Sequence, residues 1–169
     1  RVLTVDWDLE APGLHRYFHP FLSDPELTSS KGVIDFAMEF VDEASAQPSD
    51  SLPTDWYVPY SNIRPYARTL DYPFPEGGAL DFIGAGKQGP GYAGRVNSFN
   101  WKHFYEKLGG WFVIEEMRAQ LSREYDFILV DSRTGVSDTA GICTIQVPDD
   151  VVVCFTLNYQ SVDGAASAA

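Results

Sequence analysis

The stretch Val2-Leu3-Thr4-Val5-Asp6-Trp7-Asp8 decides the fold, because it is an apolar run that ends in two acids. A short run of this kind is typical of a strand buried inside a parallel sheet. Residues 125–131, Tyr-Asp-Phe-Ile-Leu-Val-Asp, form a second such run that also ends in a carboxylate. Residues 79–85 and 151–157 have the composition of two further core strands. We therefore predict an α/β domain with a mostly parallel sheet flanked by helices.

The segments between these runs carry helix signals. Apolar residues at helical spacing predict a helix over residues 33–44, with N-caps offered by residues 28–30, and a longer one over residues 101–123, with Asn100 as its N-cap. The pair Gly109-Gly110 is a point where the longer helix can weaken or kink. Shorter elements are expected as follows: helices at residues 12–18, at 138–145 and from 161 onward, an edge strand at 62–66, and an exposed glycine-rich loop at 84–94.

Charge and cysteine usage narrow the class of protein. The 24 acidic and 12 basic side chains give a net charge of −12, which disfavours broad nucleic-acid binding. We interpret Arg64, Arg68, Lys87 and Arg95 as solvated loop charges, with a local basic patch as the alternative. The two cysteines, at 143 and 154, lie in apolar stretches and are expected to be buried free thiols, which favours the cytoplasm.

The chain is expected to form a single domain over residues 1–169. No run approaches the roughly 18 to 20 apolar residues of a membrane span, so none is expected. The sequence opens inside an apolar strand pattern and closes in an alanine-rich helical pattern. We therefore expect the domain to be incomplete at both ends.

Two of the predicted strands end in carboxylates, Asp6 (with Asp8 just beyond) and Asp131. Ligands of open parallel sheets bind outside the carboxyl ends of the strands. Carboxylates at that edge can hold Mg²⁺ or orient a water for attack on a phosphate. The pattern therefore predicts a nucleotide or Mg²⁺ site, with helix-capping or surface-loop roles as the alternative for each acid.

Several motifs resemble one family in family order. Residues 1–13, Arg-Val-Leu-Thr-Val-Asp-Trp-Asp-Leu-Glu-Ala-Pro-Gly, resemble the segment that follows the phosphate-binding loop and its helix in ATPases of the ParA/MinD type. Residues 125–135, Tyr-Asp-Phe-Ile-Leu-Val-Asp-Ser-Arg-Thr-Gly, are similar to the Walker B strand and switch loop of that family. Residues 80–85 and 158–164 resemble its intervening strand and the segment leading into an interface helix.

The resemblance implies a P-loop NTPase fold of the SIMIBI kind that binds ATP and Mg²⁺ in the intact protein. Asp8 matches the acid that positions or activates the attacking water. Asp6 matches the acid near the Mg²⁺ shell, and Asp131 matches the Walker B acid that holds Mg²⁺ through a water. Gly135 matches the switch-loop glycine whose backbone N–H senses the γ-phosphate. The family further implies an ATP-dependent switch that forms a nucleotide-dependent homodimer.

Three departures from the family pattern qualify this picture. Arg133 stands where relatives carry Pro or a small residue, and it offers a phosphate or partner contact or, as we favour, a surface ion pair such as one with Asp138. Trp7 is bulkier than in most relatives and is interpreted as core packing. The Gly-x-x-x-x-Gly-Lys-[Ser/Thr] loop is absent, because residues 84–91 have Lys87 at the wrong spacing. Without it, this segment alone is not expected to bind ATP tightly or to be active.

Alternatives remain open at this stage. The sequence is similar to a bacterial branch with a variant Lys-Gly-Gly-X-Gly-Arg loop, fused to signalling or repeat domains, so a nucleotide-dependent signalling or binding module with little turnover is the second hypothesis. A bacterial tyrosine kinase is the third, and the lack of Asp-Thr-Pro-Pro after Val130 counts against it. The aromatic stretch at residues 56–74 is interpreted as a packed insertion, with a partner surface as the alternative.

Overall fold

A four-stranded sheet organises the computed structural model, which describes residues 1–47, 53–133 and 142–168. The strand order is β2-β3-β1-β4. Strands β1 (Val2–Asp6), β3 (Leu80–Ile83) and β4 (Phe127–Asp131) are parallel, whereas the two-residue β2 (Arg68–Thr69) is antiparallel to β3. The predicted α/β architecture with a mostly parallel sheet is therefore confirmed.

Strand β1 lies in the middle of the sheet and sets its register. Val2 is opposite Leu80 on one side and Phe127 on the other, and Asp6 is opposite Asp131. Residues 3–7 are all buried, which explains why the run is apolar without alternation.

Helices pack around this sheet. Apart from short 3₁₀ turns and a π-helical turn at Ile142–Gln146, the helices within the described ranges are α1 (His15–Phe18), α2 (Val33–Ala46), α3 (Tyr92–Ser98), α4 (Trp101–Lys107), α5 (Gly110–Glu124) and α6 (Tyr159–Ala168). The main core joins Leu3 and Val5 of β1 to side chains such as Ile34, Phe40 and Ile114 from α2 and α5. A smaller cluster of Leu22, Leu27, Leu70 and Phe82 covers part of the other sheet face. No helix within the described ranges is both long and apolar enough to span a membrane.

The long helix predicted over residues 101–123 is divided into α4 and α5. Asn100 is its N-cap as predicted, since the side chain accepts a 2.8 Å hydrogen bond from the His103 N–H. The chain breaks at Gly109, whose φ of 80° only glycine adopts readily. A Cβ at Gly110 would lie 2.5 Å from the Phe104 ring, so both glycines are needed for the tight turn.

Two local predictions were wrong. Residues 62–66 are not a strand: the proline at position 65 lacks an N–H for a ladder, and Arg64–Tyr66 forms a 3₁₀ turn instead. Residues 28–30 do not cap α2, because their backbone and hydroxyl groups donate to the Asp24 carboxylate. The first turn of α2 is fixed instead by Asp35, whose Oδ2 accepts the Gly32 N–H at 3.0 Å.

The predicted core strand at residues 151–157 is also wrong. No strand forms there, and Val152 and Leu157 are 84% and 96% exposed. An apolar run becomes a buried strand only when a neighbouring backbone pairs with it, and none of the described strands does so. Cys154 is consequently exposed, whereas Cys143 is buried as expected.

Three smaller predictions had mixed outcomes. The loop predicted to be exposed at residues 84–94 begins with three buried residues and ends inside α3. The helix predicted from residue 161 is confirmed as α6. The helix predicted at residues 138–145 lies partly outside the described residues, and its remainder is the π-helical turn.

Candidate functional site

The parallel pairing of β1 and β4 places Asp6 opposite Asp131 at the carboxyl edge of the sheet. The pairing extends one residue further, because the Trp7 N–H donates to the Asp131 carbonyl at 2.8 Å. Opposite partners in a parallel ladder direct their side chains to the same face of the sheet. The structure therefore brings together the two strand-end acids that the sequence singled out.

Asp6 is fully buried, with 0% of its surface exposed. Its Oδ2 accepts the Leu14 N–H at 3.1 Å, whereas its Oδ1 has no hydrogen-bond partner among the described residues. The pKa of Asp6 is raised to about 6, because burial and, to a smaller extent, the negative charge of Asp131 outweigh the lowering effect of the Leu14 N–H. A buried carboxylate oxygen without a donor is costly, and a bound cation would remove that cost.

Asp8 and Asp131 lie nearer to solvent. Partial burial raises the pKa of Asp131, and the charge of Asp8 raises it further, so the two carboxylates are close enough to repel. Asp8 also accepts the Ala11 N–H on its Oδ1 at 3.2 Å, which closes a turn after β1. The three predicted acids therefore form one electrostatically coupled group.

The loop that carries Asp8 is fixed on two sides. The Tyr92 hydroxyl donates to the Leu9 carbonyl at 2.8 Å, and Glu10 forms an ion pair with Arg133. Trp7 is 3% exposed and belongs to the main core, which confirms its predicted packing role. Beside the loop lies an open groove of about 560 Å³, lined by residues 9–13, Arg16, Gln88, Tyr92, Ala93, Val96 and Asn97.

The donor set suits Mg²⁺. Asp6 and Asp131 offer hard carboxylate oxygens, one of them buried and without a partner, and Mg²⁺ in nucleotide sites is typically held by one or two carboxylates together with waters and phosphate oxygens. Within the described part of the chain, no three His, Cys, Asp or Glu side chains are arranged as a metal site. A cation at this edge would therefore take its remaining ligands from water and from a bound phosphate.

The structure settles the placement of some predicted residues and not others. Gly135, the expected γ-phosphate sensor, and Asp138, the expected partner of Arg133, lie outside the described residues. Sequence reasoning missed Glu10 as the partner of Arg133 and Tyr92 as the anchor of the loop. The position of Glu10, two residues beyond Asp8, was the available signal for the first of these.

Two of the four basic loop residues, Arg64 and Arg95, are ion paired instead of solvated. Arg64 pairs with Asp81 and Glu124, and Arg95 pairs with Asp35, so these cations are used in separate structural ion pairs.

The aromatic stretch at residues 56–74 is packed as interpreted. Trp56 stacks on Phe40 with ring centroids 5.4 Å apart, Tyr57 stacks on Phe112 at 5.5 Å, and Tyr66 meets Phe36 edge-on.

Comparison with protein-family models gave no match, and neither did comparison with curated proteins or with solved structures. A function for this chain therefore has to be inferred from its own residues. The group formed by Asp6, Asp8 and Asp131 is where such an inference begins.

Proposed function

We propose that this chain forms the acidic half of a Mg²⁺-dependent ATP site in a P-loop ATPase of the ParA/MinD type, which acts as an ATP-dependent switch. The observation that carries the proposal is the pairing of Asp6 with Asp131 at the carboxyl ends of neighbouring parallel strands. In this proposal Asp131, through a water, and Asp6 hold the cation, while Asp8 positions the attacking water. The resemblance extends the proposal to a nucleotide-dependent homodimer, a fused or bound signalling partner and a cytoplasmic location.

The side chains are suited to these tasks by their surroundings. The Leu14 N–H holds one oxygen of Asp6, which leaves Oδ1 as the atom available to a cation shell. The bound Mg²⁺ would neutralise charge on the phosphates during transfer. Asp8 lies beyond the strand end on a loop fixed by Tyr92, so its backbone is held while one carboxylate oxygen remains for a water.

The outer edge of β4 is the natural place for a phosphate-binding loop. β4 is the last strand of the sheet, and its Phe127 and Leu129 are 68% and 57% exposed. We propose that a further strand carrying a glycine-rich loop pairs there, which would set backbone N–H donors beside Asp131. The internal candidate around Lys87 does not serve, because the Lys87 N–H is bound to the buried Asp35 carboxylate at 2.8 Å.

The cation site can be tested with Mn²⁺ as a paramagnetic probe. Substoichiometric Mn²⁺ added to the isotopically labelled chain should broaden the amide signals of Trp7, Leu14 and Asp131 first. Asp131→Asn should reduce this broadening several-fold, because the carboxylate is removed at a surface position where the fold tolerates it. Asp71→Asn is the matched control, since Asp71 is exposed and lies at the opposite edge of the sheet. Equal broadening in both variants would refute the site.

One observation favours a second candidate, a nucleotide-dependent signalling or binding module with little turnover. Asp8 already serves as a turn residue through its bond to the Ala11 N–H, and that role alone accounts for an acid at this position. Asn preserves this acceptor and Ala does not, so the two substitutions separate the candidates. In the intact protein, a water-positioning Asp8 requires that Asp8→Asn lower phosphate release at least about 100-fold. A turn residue requires that Asp8→Asn be nearly silent while Asp8→Ala lowers stability.

A further inference from the structure

Arg133 and Glu10 form an ion pair across the carboxyl edge of the sheet. Arg133 follows the end of β4 by two residues, and Glu10 follows Asp8 by two residues. The pair therefore joins the segment after β1 to the segment after β4, beside the coupled acids. Both side chains remain accessible, at 42% exposure for Arg133 and 51% for Glu10.

An ion pair with this much exposure is easily exchanged. Exposed pairs contribute little to stability, because water screens the attraction and two long side chains must be held in place. A phosphate approaching this edge meets the carboxylates of Asp6, Asp8 and Asp131 as well as Glu10. A guanidinium already at the rim offsets part of that repulsion, and its planar fork matches two phosphate oxygens.

We propose that Arg133 is a phosphate-binding residue whose guanidinium pairs with Glu10 while no phosphate is bound. When a Mg²⁺-bound polyphosphate occupies the edge formed by Asp6 and Asp131, the guanidinium leaves Glu10 and binds phosphate oxygens. This inference rests on the proposed function and deepens it, because it names the polyphosphate group as what Arg133 recognises. It also gives Glu10 a definite task, which is to compete with the ligand for Arg133.

If Glu10 competes with phosphate for Arg133, substitutions at the two positions should change polyphosphate binding in opposite directions. Glu10→Gln removes the competing charge and should tighten polyphosphate binding several-fold, although it deletes a contact of the site. Arg133→Ala should weaken binding several-fold, and Arg133→Lys should fall between, because the charge is kept and the fork is lost. In the Arg133→Ala background, Glu10→Gln should have a much smaller effect on binding, because only the direct repulsion between Glu10 and the phosphate is then removed.

Side-chain NMR of the labelled chain follows this exchange directly, even when binding is weak. Mg²⁺ and inorganic tripolyphosphate are titrated while the Nε–Hε signal of Arg133 and the Leu14 amide beside Asp6 are recorded. Both signals should move together and saturate at the same concentration, which should be several-fold lower in Glu10→Gln. The Nε–Hε signal of Arg118, which belongs to a similar ion pair with Asp149 away from this edge, should stay fixed, and Asp149→Asn is the matched control.

The outcomes separate the two proposals. If the Leu14 amide moves but the Arg133 signal does not, or if Glu10→Gln weakens binding as much as Arg133→Ala does, Glu10 and Arg133 are a structural clasp and this inference is wrong. If neither signal responds to tripolyphosphate with Mg²⁺, this inference is wrong, whereas the proposed function is contradicted only if Mn²⁺ also fails to broaden the amides beside Asp6 and Asp131. A response of Arg133 that persists without Mg²⁺ in Asp131→Asn would assign Arg133 to a phosphate site independent of the carboxylates, which also overturns it.

Discussion

Asp6 and Asp131 are register partners of β1 and β4, and the Trp7 N–H donates to the Asp131 carbonyl immediately beyond them. Backbone hydrogen bonds therefore hold the two residues side by side at the strand ends. This position is unfavourable for an ionised carboxylate. The pKa of Asp6 is raised to about 6, first by burial and then by the charge of Asp131. A site that keeps this arrangement sacrifices some stability for a position where a cation can bind.

Replacing Asp6 by Asn should stabilise the chain in the absence of metal. A carboxyl whose folded pKa exceeds its unfolded value of 3.8 stabilises least above pH 6, where the folded state has to bury the charge. Two pKa units correspond to roughly 3 kcal/mol, so Asp6→Asn is expected to raise the free energy of unfolding by about 1 to 3 kcal/mol at pH 8. The gain should shrink as the pH falls from 6 to 4. Urea unfolding across this range measures it.

The difference between wild type and variant isolates Asp6. His15 contributes with the opposite sign, because burial lowers the pKa of His15 below its ordinary value and the folded state therefore loses stability as the pH falls. Both proteins contain His15, so its contribution cancels. A variant that is less stable than wild type at pH 8 would mean that Asp6 is a structural acid with a satisfied carboxylate.

The buried carboxylate of Asp81 should be a main stabilising group at the amino-terminal end of the sheet. It accepts hydrogen bonds from Thr69 Oγ1 at 2.6 Å and the Tyr125 hydroxyl at 2.7 Å, and it pairs with Arg1 and Arg64. Asp81→Ala removes the acceptor of the Thr69 and Tyr125 hydroxyls and the ion-pair partner of Arg1, and it should cost about 3 to 5 kcal/mol of unfolding free energy.

Urea unfolding at neutral pH tests this expectation. Asp149→Ala is the control, since Asp149 is 85% exposed in its pair with Arg118 and should cost no more than about 1 kcal/mol. Similar losses in the two variants would show that the Asp81 network contributes little.

The sequence predicted those parts of the molecule that depend on local pattern. The apolar runs around Leu3, Phe82 and Leu129 did become neighbouring strands, and helical spacing after Gly32 did become α2. The same signal was misleading at residues 151–157, because hydrophobicity reports that a segment can be buried and says nothing about which backbone will pair with it.

In the candidate site, too, the features that depend on local sequence were predicted and those that depend on tertiary structure were not. The strand-end positions of Asp6 and Asp131 follow from their own runs, so the sequence located them. The ion pair of Glu10 with Arg133 depends on how two distant strands align, and no local pattern encodes that alignment. The unpartnered oxygen of Asp6 likewise depends on the path of the chain to Leu14 and could only be seen in three dimensions.

A methyl group at Gly32 should disrupt the start of α2. A Cβ there would lie 1.9 Å from the Gly84 carbonyl oxygen, which accepts the Val33 N–H at 3.0 Å. Because the obstacle is backbone, the loop after β3 has to move, and Gly32→Ala should cost at least about 1 to 3 kcal/mol. Gly94→Ala is the matched control, since a Cβ at Gly94 in α3 meets nothing within 4 Å. Thermal unfolding measures the difference between the two variants. Equal Tm values would contradict the close approach of Gly32 to the Gly84 carbonyl.

The open edge of β4 should promote self-association of the isolated chain. Among the described strands, β4 pairs on one side only, and Leu129 on it is 57% exposed. A terminal strand with exposed apolar side chains is a template for another strand. Leu129→Lys should shift sedimentation toward the monomer at concentrations where wild type associates. Tyr17→Lys removes an 81% exposed ring away from this edge and should not. Equal sedimentation of the two variants would show that the chain self-associates through a surface other than the edge of β4.

The central position of β1 bears on how this chain folds. Residues 2–6 have no hydrogen-bonded neighbour until residues 80–83 and 127–131 reach them from much further along the chain. Pairings of such long range are slow to form, because the intervening chain has to be ordered before they stabilise anything. During synthesis, β1 therefore stays without its sheet neighbours until residues 80–83 and 127–131 have been made. Until those pairings form, the apolar side chains of β1 are exposed to aggregation, so the yield of native protein should depend on protection during this interval.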